Sequence, residues 1–300
     1  MDIGDVGGGW VMSNKGVGQV ADRRGAVGMS TASSARESLP GAGRAFRHGP
    51  SWGDATWSEL AGAGLGRGGE AARIVALLPV GAVEAHGPHL PLVTDVVIAA
   101  AAAEAALPGL RRIGLHPMLL PPLPYTAAPF AAAFPGTISV RPATVTALLA
   151  DIAASLERQG ADALVIVNAH LDPAHLTSIL MVASAYTGPM PVIHPDLTER
   201  RWASRLTGEF RSGACHAGRY ETSVVMAAAP ELVRGGERRR LPPNPASLSR
   251  AIRAGKTTFE EAGVAEAYCG DPAAATAEEG RATLEILAGI VVEAVDEAVS

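Results

Sequence analysis

The sequence has few cysteines, no basic stripe and no long hydrophobic run. Only two of its 300 residues are cysteines, Cys215 and Cys269, too few for the disulfide framework typical of small secreted domains. The net charge of -5, without a basic stripe, argues against a nucleic-acid partner. The longest apolar stretch, residues 96–103, is far shorter than the roughly twenty residues of a transmembrane helix. We therefore expect a cytoplasmic protein that binds neither nucleic acid nor a membrane.

The composition of the chain predicts one large domain after an irregular start. Hydrophobic residues make up 48% of the sequence, which is enough for a large core. Residues 1–50 are rich in Gly, Ser, Ala and Arg and show no sustained periodicity. We predict that they are a disordered N-terminal extension or a misassigned start. Residues 51–300 are predicted to form a single domain.

Predicted strands and helices alternate along residues 51–300, and this order predicts the fold class. The strands are predicted at 73–80, 117–123, 163–168 and 190–194, and the helices at 95–106, 142–158, 173–186, 222–229 and 273–298. Such alternation is typical of an α/β fold. We predict a three-layer α/β/α arrangement in which a mostly parallel central sheet has helices on both faces.

Acidic and histidine side chains follow the first predicted strand. Glu84 and His86 come soon after the apolar run 74–80, and their spacing of two makes extended side chains face the same way. His89 and Asp95 follow in the same segment. Desolvating carboxylate and imidazole groups is costly unless something binds them, and a divalent metal would do so. The alternative is a loop whose histidines only satisfy backbone groups.

Two later segments add residues of the same kinds. The apolar run 164–167 predicts a second buried strand, and His170 and Asp172 lie just past its end. Because ligands of open α/β sheets bind beyond the carboxyl ends of the strands, this coincidence favours a metal site. His216 and Glu221 lie five residues apart before another predicted helix. Taken alone, this third segment is equally typical of a helix N-terminus with Glu221 placed against the helix dipole.

Together these segments resemble the creatininase (creatinine amidohydrolase) family of dinuclear metal hydrolases. The resemblance covers about residues 52–298, and the motifs occur in the family's order. They are residues 79–95, Phe134-Pro-Gly-Thr-Ile-Ser139, Asn168-Ala-His170, His216-Ala-Gly with Glu221-Thr-Ser, and Gly270-Asp-Pro272. The resemblance implies the three-layer fold and assembly into homo-oligomers, hexamers among them.

The resemblance also implies two divalent metal ions per chain. Glu84, Asp95 and His170 would bind one metal, and Asp95 would bridge to a second metal that His86 also binds. A set of carboxylates and imidazoles suits zinc, manganese or iron. We therefore expect zinc, with manganese and iron as the alternatives.

Two positions in the implied site leave a choice of role. In creatininase itself an acidic residue completes the second metal site, and Asp172 occupies that position here, with Glu221 as the other candidate. Asp172 is equally interpreted as the cap of a helix that begins at Pro173. His216 matches the family histidine beside the substrate and is the candidate for catalytic proton transfer.

Such a ligand set implies a hydrolase for C–N bonds. Two ions that share a carboxylate activate a bridging water and polarise a carbonyl, and a nearby imidazole can pass the proton to the departing nitrogen. We expect an amidohydrolase that cleaves an amide or cyclic amide, other than a peptide bond, in a small molecule. The alternatives are a precursor-peptide peptidase of the mycofactocin-maturation type and a non-catalytic binding protein with the same fold.

The chain departs from the family pattern where a wall of the pocket is expected. Relatives often carry Tyr-Gly-x-Ser-x-Glu-His, and Ala128, Phe130 and Ala131 stand here at the Ser, Glu and His positions. We therefore expect a more apolar wall and a substrate other than creatinine. The arginine-rich segment 234–240 is predicted to be a solvated loop, with the alternative that it borders the pocket and attracts an anionic substrate.

Overall fold

Four parallel strands form the central sheet of the described part of the chain. The structure is a computed structural model that describes residues 51–65, 73–214 and 216–300; the extension predicted for residues 1–50 lies outside these ranges. The strands are β1 (Ile74–Val80), β2 (His116–Leu119), β3 (Ala163–Asn168) and β4 (Val192–Ile193), in the order β2-β1-β3-β4. Val80 pairs with Asn168, so β1 and β3 end side by side at one edge of the sheet.

Helices cover both faces of this sheet. They are α1 (Trp57–Gly62), α2 (Thr94–Arg112), α3 (Pro142–Arg158), α4 (Pro173–Ala185), α5 (Arg200–Ala203), α6 (Gly208–Ser212), α7 (Arg219–Ala228), α8 (Gly235–Arg238), α9 (Leu248–Arg253) and α10 (Ala277–Val299). Short 3₁₀ helices lie at Pro129–Ala131, Pro230–Leu232 and Pro272–Ala274. No helix in the described ranges is both long and apolar enough to cross a membrane.

Alternating side chains of β1 divide the core into two halves. Val75 and Leu77 pack with residues of α2 and α10, whereas Ile74, Ala76 and Leu78 pack with residues of α3 and α4. A strand that is buried on both faces reads as a continuous apolar run, as β1 does. The predicted three-layer α/β/α fold with a parallel sheet is confirmed.

Prolines explain two differences from the predicted element bounds. Helix α2 continues through Pro108 to Arg112 instead of ending at residue 106, because Leu107 and Leu110 are buried in the core and this packing offsets the lost backbone hydrogen bond. Strand β2 ends at Leu119, four residues earlier than predicted, because prolines 121, 122 and 124 cannot donate to a ladder. Leu123 keeps only an isolated bridge to Val80.

Candidate metal centre

The loop after β1 and the first turn of α2 are in close contact. A Cβ atom on Gly81 would lie 2.5 Å from the backbone nitrogen of Val96 and 2.8 Å from the Cβ atom of Asp95, so only glycine fits here. This approach brings Asp95 beside Glu84 and His86, which follow the strand. All three side chains are buried, at 1% or 2% exposure.

The segment after β3 is held by its own amide side chain. Asn168 Nδ2 donates to the His170 carbonyl at 2.7 Å, and Asn168 Oδ1 accepts from the His170 backbone N–H at 3.1 Å. The Nε2 atom of buried His175 lies 3.0 Å from the same Oδ1, and the centres of the His175 and His170 rings lie 5.0 Å apart. Asn168 therefore ties the His170 backbone to α4.

The third segment brings His216 and Glu221 to the same place. Ala217 has a φ of 49°, in the left-handed region, and its backbone N–H donates to Glu221 Oε2 at 2.6 Å. Glu221 lies in the first turn of α7 and is 4% exposed. The rings of His216 and His86 lie 4.2 Å apart. Residues separated by more than 130 positions in the sequence thus meet at one edge of the sheet.

Two groups of possible ligand atoms share one carboxylate. Glu84, Asp95 and His170 form the first group, and His86, Asp95 and Glu221 form the second; the ligand atoms within each group lie within 4.8 Å of one another. His170 Nδ1 lies 3.2 Å from Glu84 Oε1 and 3.1 Å from Asp95 Oδ2. His86 Nε2 lies 3.1 Å from Asp95 Oδ1 and 3.6 Å from Glu221 Oε2. Asp95 thus belongs to both groups, and each group combines carboxylates with an imidazole that could hold a metal ion.

Each imidazole turns one nitrogen towards these groups and fixes the other on a carbonyl. Nδ1 of His86 lies 3.1 Å from the Glu84 carbonyl, and Nε2 of His170 lies 2.9 Å from the Ala127 carbonyl. Because a carbonyl only accepts, these outer nitrogens carry the hydrogen. The inner nitrogens, Nε2 of His86 and Nδ1 of His170, face the carboxylates and would bind a metal in place of a proton, as is usual for metal-binding histidines.

His216 likewise has one ring nitrogen on a backbone carbonyl and the other facing the ligand groups. Its Nε2 donates to the Ala85 carbonyl at 2.8 Å, which leaves Nδ1 3.8 Å from Glu84 Oε1. His216 also forms a third possible ligand group with Glu84 and His86. Burial, with the neighbouring His86, holds the pKa of His216 well below its usual value. A neutral His216 presents an unprotonated nitrogen to the site.

The buried charges favour a cation in this site. Burial raises the pKa of Glu84, and burial raises the pKa of Glu221 to about 8. Burial opposes the charge of His86 too, but Asp95 and the two glutamates outweigh it and raise the pKa of His86 to about 10. Without a metal, protons must therefore compensate the crowded carboxylates. A divalent ion would supply that charge instead.

Two carboxylate oxygens fit this interpretation directly. Glu84 Oε2 and Asp95 Oδ2 are buried and accept no hydrogen bond. Asp95 Oδ2 lies 3.1 Å from His170 Nδ1, yet the two atoms lack hydrogen-bond geometry. Both atoms therefore keep lone pairs that a bound cation could engage. The donor set thus fits a divalent metal, which prefers such carboxylate and imidazole ligands.

Asp172 lies outside all three ligand groups. Its Oδ1 accepts from the Ala174 backbone N–H at 2.8 Å, which caps α4, and its Oδ2 accepts from the Phe130 backbone N–H at 3.1 Å. The structure brings together the other predicted site residues: Glu84, His86, Asp95, His170, His216 and Glu221. His89 lies apart from them, with Nε2 2.9 Å from Thr222 Oγ1.

A cavity of about 310 Å³ opens from these groups. Glu84, Asp95, His170, His216 and Glu221 lie at its buried end. The walls are largely apolar, and Arg211 and Arg253 reach the cavity from α6 and α9; the apolar lining includes Phe130, Leu171, Phe210, Leu248, Ile252 and Phe259. Sequence patterns gave no signal for the residues of α6 and α9, since neither helix is long enough to show a period. The arginine-rich segment 234–240 does not line this cavity.

Two relatives of this chain carry the names of different activities. The mycofactocin precursor peptide peptidase of Mycobacterium ulcerans (strain Agy99) is 33% identical over 232 residues, which cover 75% of this chain and 82% of that protein. The creatinine amidohydrolase of Pseudomonas putida is 28% identical over 179 residues, which cover 53% of this chain and 66% of that protein.

A family model and a solved structure agree with these similarities. The solved structure of a creatinine amidohydrolase (creatininase) has a TM-score of 0.58 at 24% identity and covers 83% of this chain and 97% of that chain, which shows the shared fold. The Creatininase model, described as creatinine amidohydrolase, matches residues 54–295. This match supports a metal-dependent hydrolase. It spans most of the sequence, including every predicted site residue, and the chain therefore belongs to the creatininase family.

Proposed function

We propose that this protein is an amidohydrolase that uses two divalent metal ions. The observation that carries the proposal is the pair of buried ligand groups that share Asp95. Glu84 and His170 would complete the first ion's ligands, and His86 and Glu221 those of the second. Each group has two carboxylates and one imidazole, which suits zinc, manganese or iron. When bound, such a pair of ions supplies an activated water and polarises the carbonyl of a C–N bond.

His216 is the residue proposed to transfer the proton. Its Nε2–H is engaged by the Ala85 carbonyl, so Nδ1 is the atom that faces the ligand groups. A base in this position can accept a proton from the attacking water and return it to the departing nitrogen. The Phe259 ring, 4.4 Å from the His216 ring, covers the imidazole and helps to exclude other water.

The apolar walls of the cavity favour a substrate with an apolar part next to the amide. Phe130 and Phe259 stand 6.1 Å apart at the ring centres, and Phe130 is one of the residues that replace polar positions of the family pattern. A cavity of about 310 Å³ suits a small molecule. We propose the amide or cyclic amide of such a molecule as the substrate.

A peptide is the second candidate substrate. The relative from Mycobacterium ulcerans, 33% identical, is named a precursor peptide peptidase, which favours an enzyme that cleaves a peptide bond. The same metal groups and the same His216 would serve that reaction, since a peptide bond is itself an amide. The two proposals differ in the substrate that occupies the cavity.

A homo-oligomer, with a hexamer as one such form, stays a prediction. The outer surface of α3 and α4 carries apolar side chains that are at least 40% exposed: Leu148, Leu180 and Met181. A second copy of the chain would cover such side chains, since apolar area gains free energy when it leaves water.

Metal content and hydrolysis together test the proposed function. Protein prepared without a chelator should contain about two divalent ions per chain by elemental analysis. The loaded protein should then cleave members of a panel of small amides, cyclic amides and short peptides. Trace metal only, even after addition of zinc or manganese, would contradict the proposal. Two bound ions without hydrolysis of any panel member would favour the non-catalytic binding protein.

His216→Gln separates proton transfer from metal binding. The variant should keep the ions, because the two groups that share Asp95 do not need His216. Its turnover should fall by about 100- to 10,000-fold, the usual contribution of a positioned acid or base. Elemental analysis and the rate on the best panel substrate measure the two effects. Loss of the ions, or a turnover equal to that of the wild type, would argue against the assigned role.

A further inference from the structure

Two arginines border the cavity at its exposed end. Arg211 lies near the end of α6, and Arg253 is the last residue of α9. Both arginines are exposed, whereas Glu84, Asp95 and Glu221 are at most 4% exposed. The cavity therefore has an inner end with the ligand groups and an outer end with two guanidinium groups.

No carboxylate of the described residues pairs with either guanidinium. Arg211 Nη1 has a contact of 3.5 Å with the carbonyl of Ser204, and the Arg253 side chain makes no hydrogen bond or ion pair within the described ranges. Arg205 shows the contrasting case, since its Nη1 lies 2.7 Å from Glu293 Oε2. Arg211 and Arg253 thus keep their donors available to a ligand.

The acidic residues of the cavity lining are already engaged. Glu84, Asp95 and Glu221 belong to the metal-ligand groups, and both oxygens of Asp172 accept backbone N–H groups. Two divalent ions would balance the negative charge of the four carboxylates in the lining. The two guanidinium groups would then leave the outer end of the loaded cavity positive, and no acidic side chain of the lining pairs with Arg211 or Arg253.

We infer that the substrate carries a carboxylate at the end remote from its scissile amide, and that Arg211 and Arg253 bind this carboxylate. The inference rests on the proposed hydrolase function. Planar guanidinium groups match the two oxygens of a carboxylate, and the apolar residues Phe130, Ile252 and Phe259 lie along the walls for the part between. A small amide acid and a peptide with a free C-terminus share this chemistry.

Matched pairs of probes test the carboxylate. The small-molecule pair is 6-acetamidohexanoic acid, in which five methylenes separate the amide from the carboxylate, and the neutral N-pentylacetamide. The peptide pair is benzoyl-Gly-Phe with a free C-terminus and the same peptide with a C-terminal amide. Binding to the metal-loaded full chain is measured by calorimetry, and hydrolysis is measured separately. The wild type should bind the acid of at least one pair more tightly than the neutral member of that pair. The pair that shows this difference tells whether the carboxylate belongs to a small molecule or to a peptide C-terminus.

Variants then assign the preference to the arginines. Arg211→Gln and Arg253→Gln should each weaken binding of the preferred acid by roughly two- to fivefold without affecting binding of its neutral partner, as expected for exposed charge pairs. Arg253→Lys should restore part of the loss. Arg250→Gln is the matched control, because Arg250 is exposed on the same helix and does not line the cavity.

The outcomes separate this inference from the proposed function. An acid preference that the arginine variants remove supports the carboxylate site, whether or not any probe is hydrolysed. Hydrolysis with equal affinity for acid and neutral probes leaves the hydrolase intact and overturns the carboxylate site. The site is also overturned if the wild type binds none of the probes, or if Arg250→Gln weakens acid binding as much as the other variants do.

Discussion

At the scale of single residues, the carboxylate of the second metal group is the candidate with an oxygen that no backbone N–H occupies. Both oxygens of Asp172 accept backbone N–H groups, one from Ala174 and one from Phe130. Glu221 accepts one backbone N–H through Oε2 and still lies 3.6 Å from His86 Nε2. The Asp-Pro pair at the start of α4 is a normal helix cap, and the structure shows Asp172 in that role. We therefore assign the second ion to Glu221 in our proposal.

Paired substitutions test this assignment. Glu221→Gln should lose about one of two ions, because an amide is a poorer metal ligand than a carboxylate and changes at metal ligands cost about ten- to a hundredfold or more in affinity. Asp172→Asn should keep both ions. It should destabilise the fold by about 1 kcal/mol, since the amide can cap α4 but cannot accept from both N–H groups. Elemental analysis and thermal unfolding measure these effects, and loss of an ion from Asp172→Asn alone would reverse the assignment.

At the scale of elements, local signals explain which bounds were predictable. Helix α3 begins and ends where predicted, with Pro142 in its first turn, and β3 matches the apolar run that predicted it. The continuation of α2 past Pro108 depends on core packing that no local pattern shows. Helices α6 and α9 have five and six residues, too few for an amphipathic period, and such short helices depend on tertiary contacts. The outer part of the cavity therefore could not be predicted.

The contact between β1 and α2 gives a test at this scale. In Gly81→Ala the new methyl group would meet the backbone of Val96 and the Cβ atom of Asp95, so α2 must move away from the strand. We expect a loss of about 1–3 kcal/mol in stability and reduced occupancy of both ions, because Asp95 serves both groups. Gly62→Ala is the control, since a Cβ atom there meets nothing within 4 Å. Full metal content in Gly81→Ala would show that the contact does not position Asp95.

At the scale of the whole molecule, three distant segments become one site because parallel strands end at the same edge. Val80 and Asn168 are register partners, so the loops that follow β1 and β3 must meet. The third segment reaches them through α7, which packs against α2 and α10. The motifs mark the residues that come together in the ligand groups for this reason, whereas Arg211, Arg253 and the apolar walls come from parts of the chain that no motif marks. The site is therefore a product of the complete fold, and its ligands should in turn stabilise that fold.

Metal removal tests this coupling. The ions would bind the folded chain, which alone assembles the two groups, so each ion should stabilise it by about 2.7 kcal/mol at a hundredfold excess over Kd. For a domain of this size we expect the melting temperature to rise by roughly 5–10 °C for each ion bound when zinc or manganese is added to chelator-treated protein. Asp95→Asn should lose the rise, because both groups share that carboxylate. A melting temperature of the wild type that does not depend on metal would contradict the two-metal site.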